Sequence, residues 1–382
     1  MLLPMHLSSL KNKKVVFFLG SLDQGGAQRV VTLMCNYWVK QGVDVTLVST
    51  YSKASECAFY LAPEVNIVFI SETFSPSFLG DKIDRIRAIR KLVKRIKPDL
   101  VISFITNVNI AILLSTFGLP VIKLVSERTY PPSVTQPFGY AFLRKYLYPF
   151  ADSVIMQTQQ GLEWLQQTSS KSHGHVIGNP LQYPLIDAEP VIEVDSVLEK
   201  GDKVLLAVGR LDPQKGLHIL LEAYARIEKN LPHWKLIILG EGEERARLEA
   251  IIHEKHLHDR VLLCGQAGNL STWYSCADAY VMSSTVEGFP NALLEAMSHG
   301  LPCVSFDCKT GPRDLIENDV NGMLVPVQVD GAQLSVALQS LLGNDEKRAK
   351  LGKQAEQVRE RFSLSEVMKQ WECEIAKVSN KG

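Results

Sequence analysis

The 382-residue sequence lacks several features that would assign it to common protein classes. Its seven cysteines are odd in number and contain no C-x-x-C pair, which argues against a disulfide scaffold and favours a reducing compartment. No apolar run reaches the roughly 20 residues needed to cross a bilayer, because the best candidate, Ile110–Val125, is interrupted by Gly118 and Pro120. We therefore expect a cytoplasmic protein without a membrane-spanning helix.

Common motifs for phosphate-bearing ligands are also missing. The glycine-rich stretches match neither G-x-G-x-x-G nor G-x-x-x-x-G-K-[ST], which argues against a dinucleotide dehydrogenase and a P-loop ATPase. No two aspartates lie two positions apart, so the D-x-D pattern that often carries a metal-bound diphosphate is absent. Cationic side chains would have to neutralise a diphosphate instead, and we expect no metal site.

What is present is a globular composition with an uneven charge distribution. Hydrophobic residues make up 46% and charged residues 21% of the chain, which excludes a disordered protein. The net charge is zero, yet residues 1–183 carry 19 Lys and Arg against 11 Asp and Glu, so the remaining residues carry the opposite excess. A basic half joined to an acidic half suggests that the two halves have different functions.

Apolar strand patterns alternate with helical patterns along the whole chain. Six segments indicate strands between Val15–Leu19 and Ser153–Met156, and six more between Val204–Val208 and Met323–Val325. A turn-rich stretch after Gly178 separates the two sets. The pattern predicts an α/β fold with two Rossmann-like, doubly wound domains facing each other across a cleft. In such open sheets ligands bind at the carboxyl ends of the strands.

A strongly basic helical segment lies in the first half. Isoleucine, leucine and valine recur at helical spacing through Lys82–Lys97, which leaves a cationic remainder. This face either binds anionic lipid headgroups or a phosphate-bearing acceptor, or is an ordinary solvated surface. The basic residues expected to contact a membrane or acceptor are Arg85, Arg87, Arg90, Lys91, Lys94 and Arg95.

Two glutamates flank the start of a predicted helix after the apolar run Ala279–Val281. Glu287 precedes this helix, Glu295 lies inside it, and Gly300 ends it. A helix start attracts an anion such as a nucleotide diphosphate, which a carboxylate repels. Both glutamates are therefore predicted to accept hydrogen bonds from neutral hydroxyls on a ribose and a sugar.

Loops after other predicted strands carry the complementary groups. Arg210 and Lys215 follow the first strand of the second half and can bind phosphate oxygens. Gly240-Glu241-Gly242 follows the next strand. In the first half, Gly25-Gly26 opens a helix, either as a phosphate-binding turn or as a plain tight turn.

In their order and spacing, these motifs resemble those of the retaining glycosyltransferase family 4, which has the GT-B fold. The resemblance covers nearly the whole chain and implies three parts: an acceptor-binding domain over residues 1–183, a nucleotide-sugar-binding domain over residues 184–360, and a segment over residues 361–382 that crosses back to the first domain. It also implies transfer without a metal or cofactor, with Arg210 and Lys215 on the donor diphosphate, Glu287 on the donor sugar and Glu295 on the ribose. The residues that would line the donor are Gly26, Gly209, Gly240, Glu241, Gly265, Gly288, Phe289, Pro290, Asn291, Ala292 and Glu295.

One position departs from the family pattern. Many members have a histidine at the end of an N-domain strand, where this sequence reads Val125-Ser126-Glu127-Arg128. Arg128 would replace a sugar or phosphate contact, and Glu127 would be an acceptor-side base. Both residues are therefore included, with Arg210, Lys215 and Glu287, among the expected catalytic residues.

The resemblance is strongest to bacterial enzymes of polysaccharide, O-antigen and lipid-linked oligosaccharide assembly. It implies a peripheral enzyme on the inner face of the cell membrane that transfers a hexose or N-acetylhexosamine from a UDP-sugar to a glycan on undecaprenyl diphosphate. The expected partners are a nucleotide sugar, this acceptor and an anionic membrane surface, with no nucleic acid. A soluble sugar acceptor, an inactive binding homologue and a nucleotide-sugar epimerase are the alternatives.

Overall fold

The computed structural model describes residues 10–23, 25–53, 57–75, 80–134 and 139–380. These residues form two compact units. The first contains the described residues up to Pro180 together with those from Leu364 onward, and the second contains Leu181–Ser363. Each unit is built on one parallel sheet.

The first unit has a seven-stranded sheet in the order β3-β2-β1-β4-β5-β6-β7. The strands are β1 (Lys14–Leu19), β2 (Asp44–Ser49), β3 (Asn66–Phe69), β4 (Leu100–Phe104), β5 (Ile122–Ser126), β6 (Ser153–Met156) and β7 (Gly174–Val176). The helices are α1 (Gly26–Lys40), α2 (Asp81–Ile96), α3 (Thr106–Thr116), α4 (Tyr140–Leu147) and α5 (Gln159–Thr168).

The second unit has a six-stranded sheet in the order β10-β9-β8-β11-β12-β13. The strands are β8 (Lys203–Val208), β9 (Trp234–Leu239), β10 (Val261–Gly265), β11 (Ala279–Met282), β12 (Cys303–Phe306) and β13 (Met323–Val325). The helices are α6 (Leu217–Ala225), α7 (Arg245–Glu254), α8 (Leu270–Cys276), α9 (Asn291–Ser298), α10 (Pro312–Leu315), α11 (Ala332–Leu342), α12 (Asp345–Ala355) and α13 (Val358–Arg361).

Helices cover both faces of each sheet, which explains why the central strands are apolar throughout. In β1, Phe17 packs in a cluster with Trp38 and Trp371, whereas Phe18 packs in a second cluster with Ile89. The same alternation occurs in β8, whose residues divide between two clusters. A strand buried on both sides loses the apolar–polar alternation of a half-exposed strand.

The last helix, α14 (Leu364–Ser379), belongs to the first unit. Its Trp371 is fully buried in the core cluster that contains Phe17. Its two buried carboxylates are hydrogen-bonded: Glu372 accepts from Trp38 Nε1 at 3.1 Å, and Glu374 accepts from Ser153 Oγ at 2.7 Å. A buried carboxylate without such donors would be costly, so these bonds tie the helix to the first unit.

The predicted α/β class with two doubly wound parallel sheets is confirmed, and all twelve expected strands are present. The sequence did not predict β7, because three residues are too short for a recognisable pattern. Helix α6 ends at Ala225 and is followed by a separate 3-10 turn, Glu228–Asn230.

Candidate functional site

The second unit has a topological switch point beside its central strand β8. The chain leaves β8 toward β9 on one side, while β11 lies on the other side. The loops that follow β8 and β11 therefore begin at the same edge of the sheet and depart in opposite directions. A crevice at such a point is the usual ligand site of an open α/β sheet. Arg210 and Lys215 lie in the first loop and Glu287 in the second.

Lys215 and Glu287 form an ion pair across this switch point. Lys215 Nζ donates to Glu287 Oε1 at 2.7 Å, with the two side chains 26% and 11% exposed. The residues are 72 positions apart in the sequence. The structure thus brings together the cation predicted for a diphosphate and the carboxylate predicted for a sugar.

The backbone around Lys215 is held by both loops. Asp212 caps the 3-10 turn Pro213–Lys215, because its side chain accepts from the Lys215 N–H at 3.2 Å. Ser283 Oγ donates to the Lys215 carbonyl at 2.8 Å. Gly216 has φ +58, and a Cβ there would lie 2.3 Å from the Ser283 carbonyl oxygen. Only glycine permits this approach, so the position of Lys215 is set by local packing.

Arg210 is much more exposed than Lys215. Its side chain is 80% exposed, and its Nη2 lies 3.0 Å from Asp212 Oδ2. Such a surface ion pair contributes little to stability, so an incoming anion can replace Asp212 at low cost. Arg210 is therefore an exposed surface charge, whereas Lys215 is partly buried and its backbone is held by its neighbours.

The glycines after β9 are required by close backbone packing, which the sequence alone did not indicate. A Cβ on Gly240 would lie 1.8 Å from the Gly209 carbonyl oxygen, and one on Gly242 would lie 2.3 Å from the Leu211 carbonyl oxygen. The Gly240 N–H also donates to the Gly265 carbonyl at 2.7 Å. These glycines allow the strand ends to pack against each other, whereas we had expected them to allow close approach of a ligand.

Glu241 points to a neighbouring helix in this structure. Both of its carboxylate oxygens accept from the Arg245 guanidinium, at 2.6 and 2.8 Å. These bonds hold the pKa of Glu241 below its usual value. Gly265 follows with φ +87, and a Cβ there would lie 3.2 Å from Glu241 Oε1.

The predicted helix start after Glu287 is present as α9. The helix begins at Asn291 directly after Pro290, and Glu295 lies inside it. Thr310 Oγ1 donates to the Glu287 carbonyl, and a Cβ on Gly311 would lie 2.7 Å from Pro290 Cδ. The first turn of α9 contains no acidic residue, so its N–H groups and positive dipole end face no competing carboxylate on the helix itself.

The other residues of this segment divide into buried and accessible ones. The Phe289 ring packs against Phe362 with a centroid distance of 5.6 Å and is only 7% exposed. Gly288, Asn291 and Ala292 are partly exposed. Phe289 can thus contribute its backbone, but not its ring, to a ligand.

Glu295 is 6% exposed and lies against α8. Tyr274 Oη lies 3.3 Å from Glu295 Oε2 and 3.2 Å from the Ala292 carbonyl oxygen, so it can donate to either acceptor. This contact orients the carboxylate that we expect to bind the ribose.

Glu127 in the first unit is buried within a network of donors. Its side chain is 1% exposed, Thr106 Oγ1 lies 2.8 Å from Oε2, and Tyr148 donates to Oε1. Arg144 Nη1 lies 3.8 Å from Oε1. Desolvation raises the pKa of Glu127. These contacts favour a structural role and provide no support for the acceptor-side base that we expected.

Arg128 is buried as well, but one of its guanidinium nitrogens has no partner among the described residues. It donates to Asn179 Oδ1 at 2.7 Å and to Ser126 Oγ at 3.2 Å, and it stacks on Phe104. Burial lowers its pKa to about 9. Among the described residues its Nε has no hydrogen-bond partner. Arg128 is 9% exposed, and its role as a sugar or phosphate contact stays a prediction.

Gly26 begins α1, whose first turn contains no acidic residue. The turn follows β1, which lies between β2 and β4 and so marks the switch point of the first sheet. The neighbouring Gln24 lies outside the described residues. The structure leaves open both the phosphate-binding turn and the plain turn.

The basic helix expected to bind a membrane is α2, and three of its predicted cations have intramolecular partners. Arg87 Nη1 lies 3.8 Å from Asp84 Oδ1, but its side chain stays 63% exposed. Arg85 is 12% exposed, pairs with Asp81 at 2.6 Å and stacks on Tyr51. Arg90 donates to the Ser115 and Phe117 carbonyls at the end of α3. These two assignments need correction, because carbonyls, a carboxylate and a ring occupy both guanidinium groups. The exposed cations of the predicted set are Arg87, Lys91, Lys94 and Arg95.

Sequence reasoning missed four side chains that support this region. Asp212 had a recognisable signal, because an aspartate directly before proline is a common helix cap. Ser283, Thr310 and Tyr274 had none, since each acts on a residue far away in the sequence. Their roles follow only from the folded chain.

Neither a metal-binding cluster nor a membrane-spanning helix occurs among the described residues. In that part of the chain, no group of three or more His, Cys, Asp or Glu side chains could hold a metal ion. The same residues contain no helix that is both long and apolar enough to span a bilayer.

Comparison with known families gives two matches. Residues 24–182 match the model described as Glycosyltransferase Family 4, and residues 189–358 match the model described as Glycosyl transferases group 1.

Two similar proteins come from Campylobacter jejuni. One is an N-acetylgalactosamine-N,N'-diacetylbacillosaminyl-diphospho-undecaprenol 4-alpha-N-acetylgalactosaminyltransferase, 32% identical over 88% of this chain and 92% of its own length. The other is a GalNAc-alpha-(1->4)-GalNAc-alpha-(1->3)-diNAcBac-PP-undecaprenol alpha-1,4-N-acetyl-D-galactosaminyltransferase, 28% identical over 96% of this chain and 99% of its own length.

Solved structures show the same fold at low sequence identity. Sucrose-phosphate synthase from Thermosynechococcus elongatus has a TM-score of 0.82 and 19% identity, covering 97% of this chain and 100% of that protein. Anabaena HepE in complex with UDP has a TM-score of 0.77 and 20% identity over the same shares of both chains.

Proposed function

This chain belongs to the group 1 and family 4 glycosyltransferases and has the GT-B fold, and from that premise we propose that it transfers a hexose or N-acetylhexosamine from a UDP-sugar to a lipid-linked glycan. Undecaprenyl diphosphate is the proposed carrier. The two Campylobacter relatives support this acceptor, because their names specify undecaprenol-linked glycans. The structure with bound UDP supports the choice of nucleotide.

The Lys215–Glu287 pair is the observation that carries the proposal. The ammonium group has three donors, and Glu287 Oε1 accepts one of them. A diphosphate can accept from the others, while the remaining oxygen of Glu287 accepts from sugar hydroxyls. Arg210 exchanges Asp212 for the diphosphate, and the N-terminal N–H groups of α9 face the same ligand. Glu295 then binds the ribose.

The same residues support a mechanism without a protein nucleophile. The bond between the sugar C1 and the phosphate oxygen breaks, and the acceptor oxygen attacks C1 from the same face. The acceptor proton passes to the departing phosphate oxygen, so no separate base is needed, in agreement with the burial of Glu127. Arg210 and Lys215 neutralise the charge that grows on the leaving diphosphate, which replaces a metal in this proposal. The anomeric configuration is retained.

A panel of UDP-sugars with a short-chain polyprenyl-diphosphate-linked sugar tests this function. We expect transfer from one UDP-sugar, no loss of activity with EDTA, and an NMR spectrum of the product with the donor's anomeric configuration. Transfer only to soluble sugars would disprove the lipid-linked acceptor. Absence of both transfer and donor hydrolysis with every UDP-sugar would indicate a binding protein, and an inverted product would disprove the mechanism.

The acceptor suggests a peripheral position on the inner face of the cell membrane. The exposed cations of α2, Arg87, Lys91, Lys94 and Arg95, support attraction to anionic headgroups. In sedimentation with vesicles that contain phosphatidylglycerol, binding should weaken as salt is raised, since exposed charges are screened. Binding that does not change with salt would contradict this electrostatic contribution.

A further inference from the structure

The first unit exposes an unusual group of aromatic rings. Among the described residues, five aromatic side chains are more than half exposed, and four of them lie between residues 117 and 150. They are Phe117 at 60%, Phe142 at 64%, Tyr146 at 54% and Phe150 at 53%. We call these four residues the aromatic surface. Exposed rings grouped in this way commonly mark an interaction site.

The four rings form two pairs on elements that pack together. Phe117 and Phe150 meet edge to face at 5.5 Å, and Phe142 and Tyr146 lie 4.5 Å apart. Phe142 and Tyr146 are one helical turn apart on α4, which packs against α3 and is followed by the 3-10 turn Tyr148–Phe150. The rings are thus carried on ordered helical elements.

The buried side of α4 explains why these rings face outward. Arg144 is 7% exposed, stacks on Trp164 at 4.5 Å and lies 3.8 Å from the Glu127 carboxylate. Glu127 also accepts from Tyr148 at the end of the same segment. Arg144 and Tyr148 thus lie on the buried side of this segment. Phe142 and Tyr146 therefore lie on the solvent side of α4, opposite contacts that include Glu127, which the sequence had suggested as an acceptor-side base.

The elements that carry the aromatic surface are poor in exposed acidic residues. Between residues 100 and 151 the only carboxylate is Glu127, which is buried. Lys145 is exposed on α4, beside Tyr146. The basic helix α2 is adjacent, because Arg90 donates to the Phe117 carbonyl and Lys94 lines a cavity together with Leu119. Exposed cations of α2 therefore lie beside the surface, together with the partly exposed carboxylates Asp99 and Asp152 of the same cavity.

From this arrangement we propose that the aromatic surface docks the enzyme on an anionic bilayer, with the rings at the headgroup boundary and α2 and Lys145 over the headgroups. Aromatic side chains favour the membrane interface, and lysine and arginine favour anionic lipid. The rings add a contribution that salt does not screen, which distinguishes this surface from attraction through the cations of α2 alone. The biological role of this docking rests on the proposed function with a lipid-linked acceptor, whereas the arrangement of the rings and cations does not depend on it.

Flotation with vesicles tests the surface through the double variant F142S/Y146S. If docking removes about 100 Å² of ring surface from water, its loss corresponds to a decrease of roughly thirty- to seventyfold in the partition coefficient. We expect at least a tenfold loss on vesicles that contain phosphatidylglycerol. The matched control is Y60S, because Tyr60 is 77% exposed in the same unit but lies outside the surface. Thermal unfolding of each variant establishes that it is folded.

A variant that keeps the apolar surface provides a second measurement. F142W should bind vesicles like the wild type, and lipids brominated on their acyl chains should quench its additional fluorescence. Three results would overturn the proposal. They are no additional quenching of F142W relative to the wild type, a loss of vesicle binding in Y60S equal to that in F142S/Y146S, and wild-type binding to purely phosphatidylcholine vesicles equal to that on vesicles with phosphatidylglycerol. Unchanged vesicle binding by F142S/Y146S together with loss of a wild-type dimer would assign the surface to a second copy of the chain instead.

Transfer assays separate this inference from the proposed function. F142S/Y146S should transfer sugar to a short-chain, detergent-free acceptor at the wild-type rate and lose activity only on acceptor embedded in vesicles. Equal loss on both acceptors would contradict a docking role. If the wild type transfers to no lipid-linked acceptor but still binds vesicles through these rings, the proposed acceptor is wrong and the docking surface stands.

Discussion

Replacing Lys215 by alanine is the most direct perturbation of the candidate donor site. Lys215 Nζ lies 2.7 Å from Glu287 Oε1, so a diphosphate oxygen can approach the ammonium group to a similar distance. At about 3 Å and an effective dielectric constant of about 20, two unit charges attract by roughly 5.5 kcal/mol. If about half a charge accumulates on that oxygen in the transition state, Lys215 lowers the barrier by roughly 2.7 kcal/mol, or about a hundredfold in rate.

The chain offers a matched control at the opposite edge of the same sheet. Lys235 lies near the start of β9 and pairs with Asp202 at 2.8 Å, with both side chains about as buried as the first pair. Lys235→Ala and Lys215→Ala should lower the melting temperature by similar amounts. Only Lys215→Ala should reduce kcat, whereas Lys215→Arg should restore most of the loss because it keeps the charge.

Steady-state kinetics with saturating acceptor measure this effect, with kcat and the KM for the UDP-sugar determined separately. The expected loss lies in kcat, since the charge on the diphosphate grows only as the bond breaks. A kcat near that of the wild type in Lys215→Ala would refute the assigned role. A similar loss in Lys235→Ala would show that reduced stability, rather than lost charge, causes the effect.

Three further predictions concern other parts of the chain. Desolvation raises the folded-state pKa of Glu127, so the stability that this residue contributes is full below about pH 4.5 and declines as pH rises. The melting temperature of Glu127→Gln relative to the wild type should therefore increase from pH 4.5 to pH 7. A difference that stays constant with pH would contradict this. Tyr274→Phe should raise the KM for the donor by roughly five- to tenfold at unchanged kcat, because it removes a hydrogen bond to Glu295, and a fall in kcat alone would argue against ribose binding there. Gly240→Ala should destabilise the protein by more than about 3 kcal/mol in denaturant unfolding, since its Cβ would overlap a carbonyl oxygen, whereas Gly201→Ala, also at positive φ but with open space, should cost much less.

The fold was predictable because its signals are local. The apolar run in β1 reflects burial on both faces, and the glycine after α9 ends that helix, so each pattern can be read within about ten residues. The exceptions are short. The three residues of β7 are held by pairing with β6, which no local pattern records.

The candidate site was predictable in composition but not in arrangement. The sequence indicated that Lys215 and Glu287 belong to ligand-binding loops, and their roles there remain predictions. Their pairing depends on β8 and β11 being neighbours, which is a property of the sheet order. The glycine at position 240 was interpreted as ligand contact, yet its close neighbour is the backbone of another loop.

The first unit shows the limit of sequence reasoning most clearly. Glu127 and Arg128 are adjacent in the chain and were both expected to contact a substrate, but one carboxylate is enclosed by donors while one guanidinium keeps a free nitrogen among the described residues. Arg85 and Arg90 belong to a basic helix by sequence, yet a ring, a carboxylate and two carbonyls occupy them.

By itself the sequence determined the two α/β halves, the loops that carry charge and the absence of several common motifs. Those properties depend on side-chain periodicity and residue type, which can be read from short segments of the sequence. Only the tertiary structure decided which charges meet, which are buried and which aromatic rings stay exposed. Burial and pairing depend on strand order and on contacts between distant segments, and these determine whether a charged side chain is available to a ligand or already has a partner within the protein.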